Sequence, residues 1–290
     1  SWTDITSSVT GTAVSHVDSS LTQTSTIQMQ VRDTAGNPGA TDSQLVTIDT
    51  SGGTTQPDDA VDPNTSATVT ITAISTDSGT STNDFITSDQ TLSYSGTVSN
   101  FTANGAAVEL VLTNASNVEV GRTYVTPAAN GSWSWDNTGV TRASGNHTLT
   151  ATVVDAAGNR TNTAAAGQDS QLVTIDTSGG TTQPDGNTDP NTTATVTIAA
   201  ISADSGTSTS DFITNDQTLS YSGTVSNFTA NGAAVQLVLT NASNVEVGRT
   251  YVTPAANGSW SWDNTGVTRA SGNHTLTATV VDAAGNRTNT

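Results

Sequence analysis

Aspartate is the residue type in this chain with the copy number and the repeated spacing to do chemistry. Of 25 acidic residues only Glu109, Glu119 and Glu246 are Glu; the remaining acids are all Asp. They stand against seven bases, every one an Arg, for a formal charge of -18. That balance excludes nucleic-acid phosphates and direct contact with anionic membrane surfaces, both of which need clustered Lys and Arg. The natural counter-charge is a hard cation, and Ca²⁺, which takes six to eight oxygen ligands from carboxylates, carbonyls and amides, suits such a chain. Neither an EF-hand loop nor a Gly-Gly-x-Gly-x-Asp nonapeptide occurs, so any site must be assembled by the fold.

Other chemistries have weaker footing. Without Cys there are no disulfides and no thiolate metal sites. His147 and His274 have no second imidazole near them in sequence to make a zinc site. Without Lys or Cys, a nucleophile would have to be Ser activated by His and Asp, and Ser is too abundant here for any such pairing to be informative. The chain is therefore expected not to be an enzyme. Trp133 and Trp135 are two apart and share one strand face, as sugar-stacking aromatics do, but with 4% aromatic content they read first as core. Arg122 is placed as a cation-π partner of one of them. Thr-x-Thr runs such as Thr275-Leu-Thr-Ala-Thr279 read as the wet face of an antiparallel sheet. The sequons at Asn64, Asn100, Asn130 and Asn146 follow from an Asn/Thr-rich composition.

The elements that must position the acids are set by a repeat. Gln44 to Thr163 aligns without gaps on Gln171 to Thr290, at an offset of 127, with nine differences in 120 positions. A diverged partial copy precedes it: Val31-Arg-Asp-Thr-Ala-Gly-Asn37 echoes 153–159, and Asp42 to Thr50 is identical to Asp169 to Thr177. A period above 100 is the size of a folding domain rather than of a solenoid unit. Val, Ile, Leu and Phe make up only about 18% of the chain, a level that warns of disorder, but Thr alternates with them and is a strong strand former.

Within one period, turn signals fall every 8 to 12 residues and divide seven alternating runs: 67–74, 91–98, 107–113, 118–125, 132–137, 147–155 and 170–176. This is the pattern of an antiparallel β-sandwich. The expected organisation is a partial sandwich at 1–50, a linker at 51–63, an immunoglobulin-like sandwich at 64–177, a linker at 178–190, and a sandwich at 191–290 lacking its last strand. Fully extended, each linker would reach about 40 Å at roughly 3.3 Å per residue. The missing strand leaves an unpaired sheet edge, a liability for association in a chain otherwise expected to be monomeric.

Strand parity places the acids. With seven strands, the first long loop and the end of the last strand share one pole, so Asp77, Asp84, Asp89 and Asp176 should gather there, with Asp204, Asp211 and Asp216 as the copies in the next repeat. The loop between the sixth and seventh strands lies at the opposite pole. Asp282 and Asn286 should then face the preceding domain's acids across the joint, joined by Asp189, and Asp49 should face Asp62, Asp155 and Asn159 in the same way. Converging carboxylates repel unless a cation neutralises them, which makes these the candidate Ca²⁺ ligands. Ligands held from both sides of a joint would stiffen it.

Val46-Thr-Ile-Asp-Thr50, Asp84-Phe-Ile-Thr87, Asn130-Gly-Ser-Trp-Ser-Trp135 and His147-Thr-Leu-Thr-Ala-Thr-Val-Val-Asp-Ala-Ala-Gly-Asn159 together resemble the bacterial immunoglobulin-like repeats of giant RTX adhesins. The resemblance covers nearly the whole chain. It implies an all-β array of tandem immunoglobulin-like sandwiches that bind Ca²⁺ and act as extenders on the bacterial cell surface. It also implies that the partners are neighbouring repeats of the same chain and distal adhesive domains of a parent protein. Near-identity of the copies agrees with a spacer, which needs many equivalent units. Two other readings are a multivalent carbohydrate-binding repeat built on the Trp pairs and a flexible, metal-free stalk. With no run of eighteen apolar residues and a polar start at Ser1 to Val9, the chain as given is expected to be soluble.

Overall fold

Alternation of Thr and Val suits a pleated surface that is wet on one face and packed on the other, because β-branched side chains lose little freedom there. The computed structural model describes residues 3–10, 12–19, 21–53, 61–180 and 188–288. The first segment holds the paired short strands β1 (Val9–Thr10) and β2 (Ala13–Val14) and a hairpin of β3 (Ser25–Arg32) and β4 (Pro38–Val46). The second comprises β5 (Thr68–Ile74), β6 (Ile86–Thr87), β7 (Ser93–Ser99), β8 (Ala107–Asn114), β9 (Glu119–Val125), β10 (Ser132–Asp136), β11 (Gly145–Val154) and β12 (Gln168–Ile175). The third has β13 (Thr195–Ile201), β14 (Ser220–Ser226), β15 (Ala234–Asn241), β16 (Glu246–Val252), β17 (Ser259–Asp263) and β18 (His274–Val281).

In the second segment a sheet of order β10-β7-β5 packs on one of order β6-β12-β11-β8-β9, an immunoglobulin-like sandwich. The seven strands lie within two residues of those read from the alternation. The eighth, β6, was not foreseen: two residues cannot show a period, and β6 pairs in parallel with the end of β12. Its core comes from every second residue of the central strands, Val108, Leu110 and Leu112 from β8 and Leu149, Ala151 and Val153 from β11, closed by Val173 and Ile175. One bond ties the sheets directly, from the Ile71 N–H at a bulge in β5 to Asp169 Oδ2 on β12, 2.7 Å. The third segment repeats the architecture with sheets β13-β14-β17 and β16-β15-β18; among the described residues β18 pairs only with β15.

The tryptophans of the second sandwich face inward. Trp133 is buried, and Trp135 packs on Tyr94 with ring centroids 5.3 Å apart. The pair offers no open platform for a sugar. Arg122 is not over a Trp: it bonds Glu119 (Nε to Oε1 3.1 Å) and Glu109, out in solvent, because two carboxylates on its own face outcompete a ring. Asn64, read as a sequon, is buried with its side chain bridging to the Thr102 carbonyl (3.0 Å) and N–H (2.7 Å).

Residues 54–60 and 181–187 of the two expected linkers lie outside the described residues. Their described ends close on themselves: Asp62 N–H donates to the Gly53 carbonyl (3.0 Å) and Asp189 N–H to that of Gly180 (3.1 Å). The described residues on either side of each stretch are thus one hydrogen bond apart. The glycines that read as linker composition serve close approach instead. A Cβ on Gly52 would stand 1.9 Å from the Arg160 carbonyl oxygen, and one on Gly179 1.8 Å from that of Arg287.

Candidate functional site

One pentapeptide recurs in all three segments, at Asp33 to Asn37, Asp155 to Asn159 and Asp282 to Asn286, and its first duty is structural. The Asp carboxylate closes the turn: Asp33 Oδ1 accepts from Ala35 and Asn37 N–H (2.9 and 2.8 Å), Asp155 Oδ1 from Ala157 and Asn159 (2.8 and 2.9 Å), and Asp282 Oδ1 from Asn286 (2.8 Å). The Asn amide reaches back to the same carboxylate in each copy. At the two joints it does more. Asn159 Nδ2 also donates to the Asp49 carbonyl (3.2 Å) and Asn286 Nδ2 to the Asp176 carbonyl (2.8 Å), so each domain's turn is tied to the end of the preceding last strand. These two Asn residues, read as ligands, are engaged as donors across the joint.

Burial then separates copies that differ only at their second residue, Thr34 against Ala156 and Ala283. Exposed Asp33 is held below the ordinary carboxylate range by the hydrogen bonds of Asn37. Asp282 is pushed up to about 6, chiefly because burial strips its water, with Asn286 opposing the shift and the nearby charges of Asp176 and Asp189 adding to it. Asp189 is 2% exposed; its Oδ1 accepts from Asn191 N–H (2.7 Å) and its Oδ2 is buried without a hydrogen-bond partner. The fold therefore brings Asp176, Asp189 and Asp282 within electrostatic reach, as strand parity predicts. At the first joint Asp49, Asp62 and Asp155 line one open cavity of about 560 Å³ together with Leu45 and Asn104.

At the other end of the sandwich Asp77 and Asp84 lie together. Asp77 Oδ2 accepts from Phe85 N–H (3.0 Å) while its Oδ1 is buried without a partner, and burial with repulsion from Asp84 raises its pKa. Asp204 and Asp211 repeat the arrangement, with Asp204 Oδ1 the orphan. Asp89 and Asp216 are used locally, each capping the residue two ahead, Thr91 (2.8 Å) and Thr218 (2.9 Å). The pole expected to gather four acids thus divides: Asp77 with Asp84, Asp89 on its own turn, Asp176 with the next domain.

Among the described residues no set of three or more His, Cys, Asp or Glu forms a ready-made metal cage. What the joints offer is anionic oxygen in a buried place, with one oxygen, Asp189 Oδ2, lacking any donor. An unpaired buried polar atom costs about 1–3 kcal/mol, more when charged. A hard cation satisfies such an oxygen, so the residues fit Ca²⁺. The joint also holds contacts that strand counting missed: Thr80 N–H donates to the Ala283 carbonyl (3.1 Å), Thr80 Oγ1 to that of Gly232 (2.8 Å), and Ser78 Oγ to that of Ala284 (3.4 Å). Ser and Thr donating to main-chain carbonyls of Gly and Ala leave no signature in composition.

A family model described as a bacterial Ig-like domain matches residues 64–177 and 181–290. No curated protein matches the chain. Similar solved structures include a tetra-tandem repeat in the extending region of a large adhesion protein, 22% identical over 95% of this chain and 57% of that one, TM-score 0.26. Others are the FN1–FN3 domains of chicken CNTN1 (10% identical, 90% and 73% covered, TM-score 0.33) and Salmonella alpha-2-macroglobulin reacted with methylamine (10%, 91% and 18%, TM-score 0.27). The chain spans 57% of the length of the first of these. No helix among the described residues is long and apolar enough to cross a membrane.

Proposed function

The chain belongs to the bacterial Ig-like domain family, and from that premise we propose that it is a non-catalytic extender segment of a large bacterial surface adhesin. Its tandem sandwiches separate an anchored end from a distal ligand-binding head. Ca²⁺ stiffens the joints, held by Asp49, Asp62 and Asp155 at the first and by Asp176, Asp189 and Asp282 at the second. Asn159 and Asn286 tie each joint from the turn side. Asp77 with Asp84, and Asp204 with Asp211, are further candidate cation positions inside the sandwiches.

The observation that carries this reading is Asp189 Oδ2, buried and unpartnered beside two carboxylates contributed by different domains. A cation there has ligands on both sides of the joint, so binding favours the docked arrangement over any bent one by its binding free energy. Bound Ca²⁺ supplies charge neutralisation and nothing reactive, in keeping with a mechanical role. Calorimetric titration of Ca²⁺ into the chain tests it: saturable binding that loses one site in Asp189→Ala is expected. Absence of saturable binding, or identical binding in Asp189→Ala, overturns the joint site.

A further inference from the structure

Four Asn-Gly pairs occur in the chain, at 104–105, 130–131, 231–232 and 257–258. All lie in turns, with the asparagine exposed and the glycine at φ near +80°. Glycine sets no Cβ beside its own nitrogen, so in such a pair the main-chain amide can reach the side chain that precedes it. Hydrogen bonding sorts the four into two kinds. In the hairpin turns at Asn130 and Asn257 the pair is tied down. Gly131 N–H donates to the Ala128 carbonyl and Gly258 N–H to that of Ala255, both at 2.8 Å, and the two glycine carbonyls accept from Val98 and Val225 N–H, also at 2.8 Å. Each Asn Oδ1 accepts from both the N–H and the hydroxyl of the serine two residues ahead.

Asn104 and Asn231 belong to the loops from β7 to β8 and from β14 to β15, which are anchored at both ends. The Asn64 and Asn191 side chains grip the Thr102 and Thr229 main chains at 2.7 and 3.0 Å, and turn bonds run from Ala106 N–H to the Ala103 carbonyl and from Ala233 N–H to that of Ala230. Between the anchors the Asn-Gly peptide itself is free. Among the described residues neither asparagine side chain, neither Asn carbonyl and neither Gly N–H makes a hydrogen bond. That peptide unit can turn until its nitrogen faces Cγ of its own asparagine, a rotation the hairpin copies make only by breaking bonds. The loop at Asn231 also sits on the second joint. Gly232 accepts through its carbonyl from the Thr80 hydroxyl of the preceding sandwich (2.8 Å), and a Cβ on it would stand 2.9 Å from that of Ala283, whose carbonyl accepts from Thr80 N–H.

We propose that Asn104 and Asn231 are sites of spontaneous deamidation, and that conversion of Asn231 loosens the second joint. The Gly232 nitrogen attacks Asn231 Cγ: the N–Cγ bond forms, the Cγ–Nδ2 bond breaks, and ammonia leaves with the proton from the glycine nitrogen. Water then opens the cyclic imide. Opening at Cγ leaves aspartate and opening at the main-chain carbonyl leaves isoaspartate; in either case one water is taken up and one ammonia released. Isoaspartate routes the main chain through Cβ, one carbon longer between the Thr229 anchor and Gly232, which draws the Gly232 carbonyl off the Thr80 hydroxyl. Either product also adds a negative charge at a joint that already gathers Asp176, Asp189 and Asp282.

Ageing the full chain in mildly alkaline buffer, folded and in denaturant, followed by peptide mapping with fragmentation mass spectrometry, tests the sites. Glu109 and Gln236 mark which copy a loop peptide comes from, and isoaspartate is scored by enzymatic methylation. In the folded chain Asn104 and Asn231 should convert about tenfold faster than Asn130 and Asn257, which must first break their Gly N–H and Asn Oδ1 bonds. In denaturant all four should convert at similar rates. Equal rates in the folded chain, or an Asn231 that stays intact while the denatured chain converts, overturn the proposal. For the joint, amide exchange at Thr80 is compared in chelator between the aged chain and an aged Asn231→Ser chain, which cannot form the imide and loses no hydrogen bond. Faster exchange at Thr80 in the chain that keeps Asn231 is expected, and equal exchange in the two overturns the loosening. Chelator keeps any cation out of this readout, so its outcome is independent of the Ca²⁺ joint.

Discussion

The second and third segments run nearly the same sequence through the same fold and reach different states, and the difference traces to one strand. Where β12 is present, the loop residues Ile86 and Thr87 become a strand, Phe85 is buried and His147 is buried with its pKa lowered by loss of water. Where none of the described residues takes that place, the corresponding 213–214 are not strand and Phe212 lies open. The residues concerned form identical pairs, Phe85/Phe212, Ile86/Ile213 and His147/His274, so the contrast does not lie in their own identities. Burial in a sandwich is a property of the neighbour supplied, not of the residue alone.

The sharpest way to collapse the contrast is to weaken the strand itself. Ile175→Ala removes a fully buried side chain and should cost the second sandwich about 2–5 kcal/mol, with the third unchanged in a two-transition melt followed by its own Trp fluorescence. If both transitions move together, the sandwiches do not fold as separate units.

Gly79 and Gly206 offer a matched pair for the joint. Both have φ near +112°, so alanine strains each backbone by about 1–2 kcal/mol. Only at Gly79 does the new Cβ meet the following domain, 2.0 Å from the Ala283 carbonyl oxygen; nothing lies within 4 Å of it at Gly206. Gly79→Ala should therefore uncouple the joint beyond the loss shared with Gly206→Ala, read as a drop in scattering-derived maximum dimension that the second variant does not show.

Acidity tunes the same joint. The folded joint holds the Asp282 proton up to about pH 6, whereas the unfolded chain releases it near 3.8, so this contribution is full below about pH 3.8 and is lost as pH rises through 6. In chelator the melting temperature should fall over that window relative to Asp282→Asn, and saturating Ca²⁺ should remove the fall. A flat difference between the two proteins would contradict the buried site.

The smallest expected effect is at a position where the repeats do differ in sequence. Glu109 accepts from both Arg122 and the Tyr124 hydroxyl (2.9 Å) in the second segment, while Gln236 keeps the tyrosine contact, its Nε2 donating to the Tyr251 hydroxyl (2.9 Å), in the third. Glu109→Gln should change stability by less than about 1 kcal/mol, because the Arg122 partner sits in solvent. Urea midpoints measured on the two proteins check it.

The strands, their order of burial and the gathering of Asp176, Asp189 and Asp282 were legible because alternation fixes which face a residue takes, and strand parity fixes the pole at which a loop emerges. β6 was illegible, being too short to show a period. The Gly52 and Gly179 stretches read as tethers because glycine signals freedom and close approach alike, and only the Arg160 and Arg287 carbonyls beside them decide which. Asp89 shows what parity leaves out: it gives the pole, but not that a Thr two residues on engages one carboxylate oxygen locally.

The central claim is that a cation shared across the joint holds the sandwiches in line. Size-exclusion-coupled small-angle scattering on the monomer peak, in millimolar Ca²⁺ and then in excess chelator, measures it most directly. A longer maximum dimension with Ca²⁺, accompanied by a higher melting temperature on the same samples, is the result the joint geometry predicts; equal dimensions and equal melting temperatures in the two conditions would contradict it.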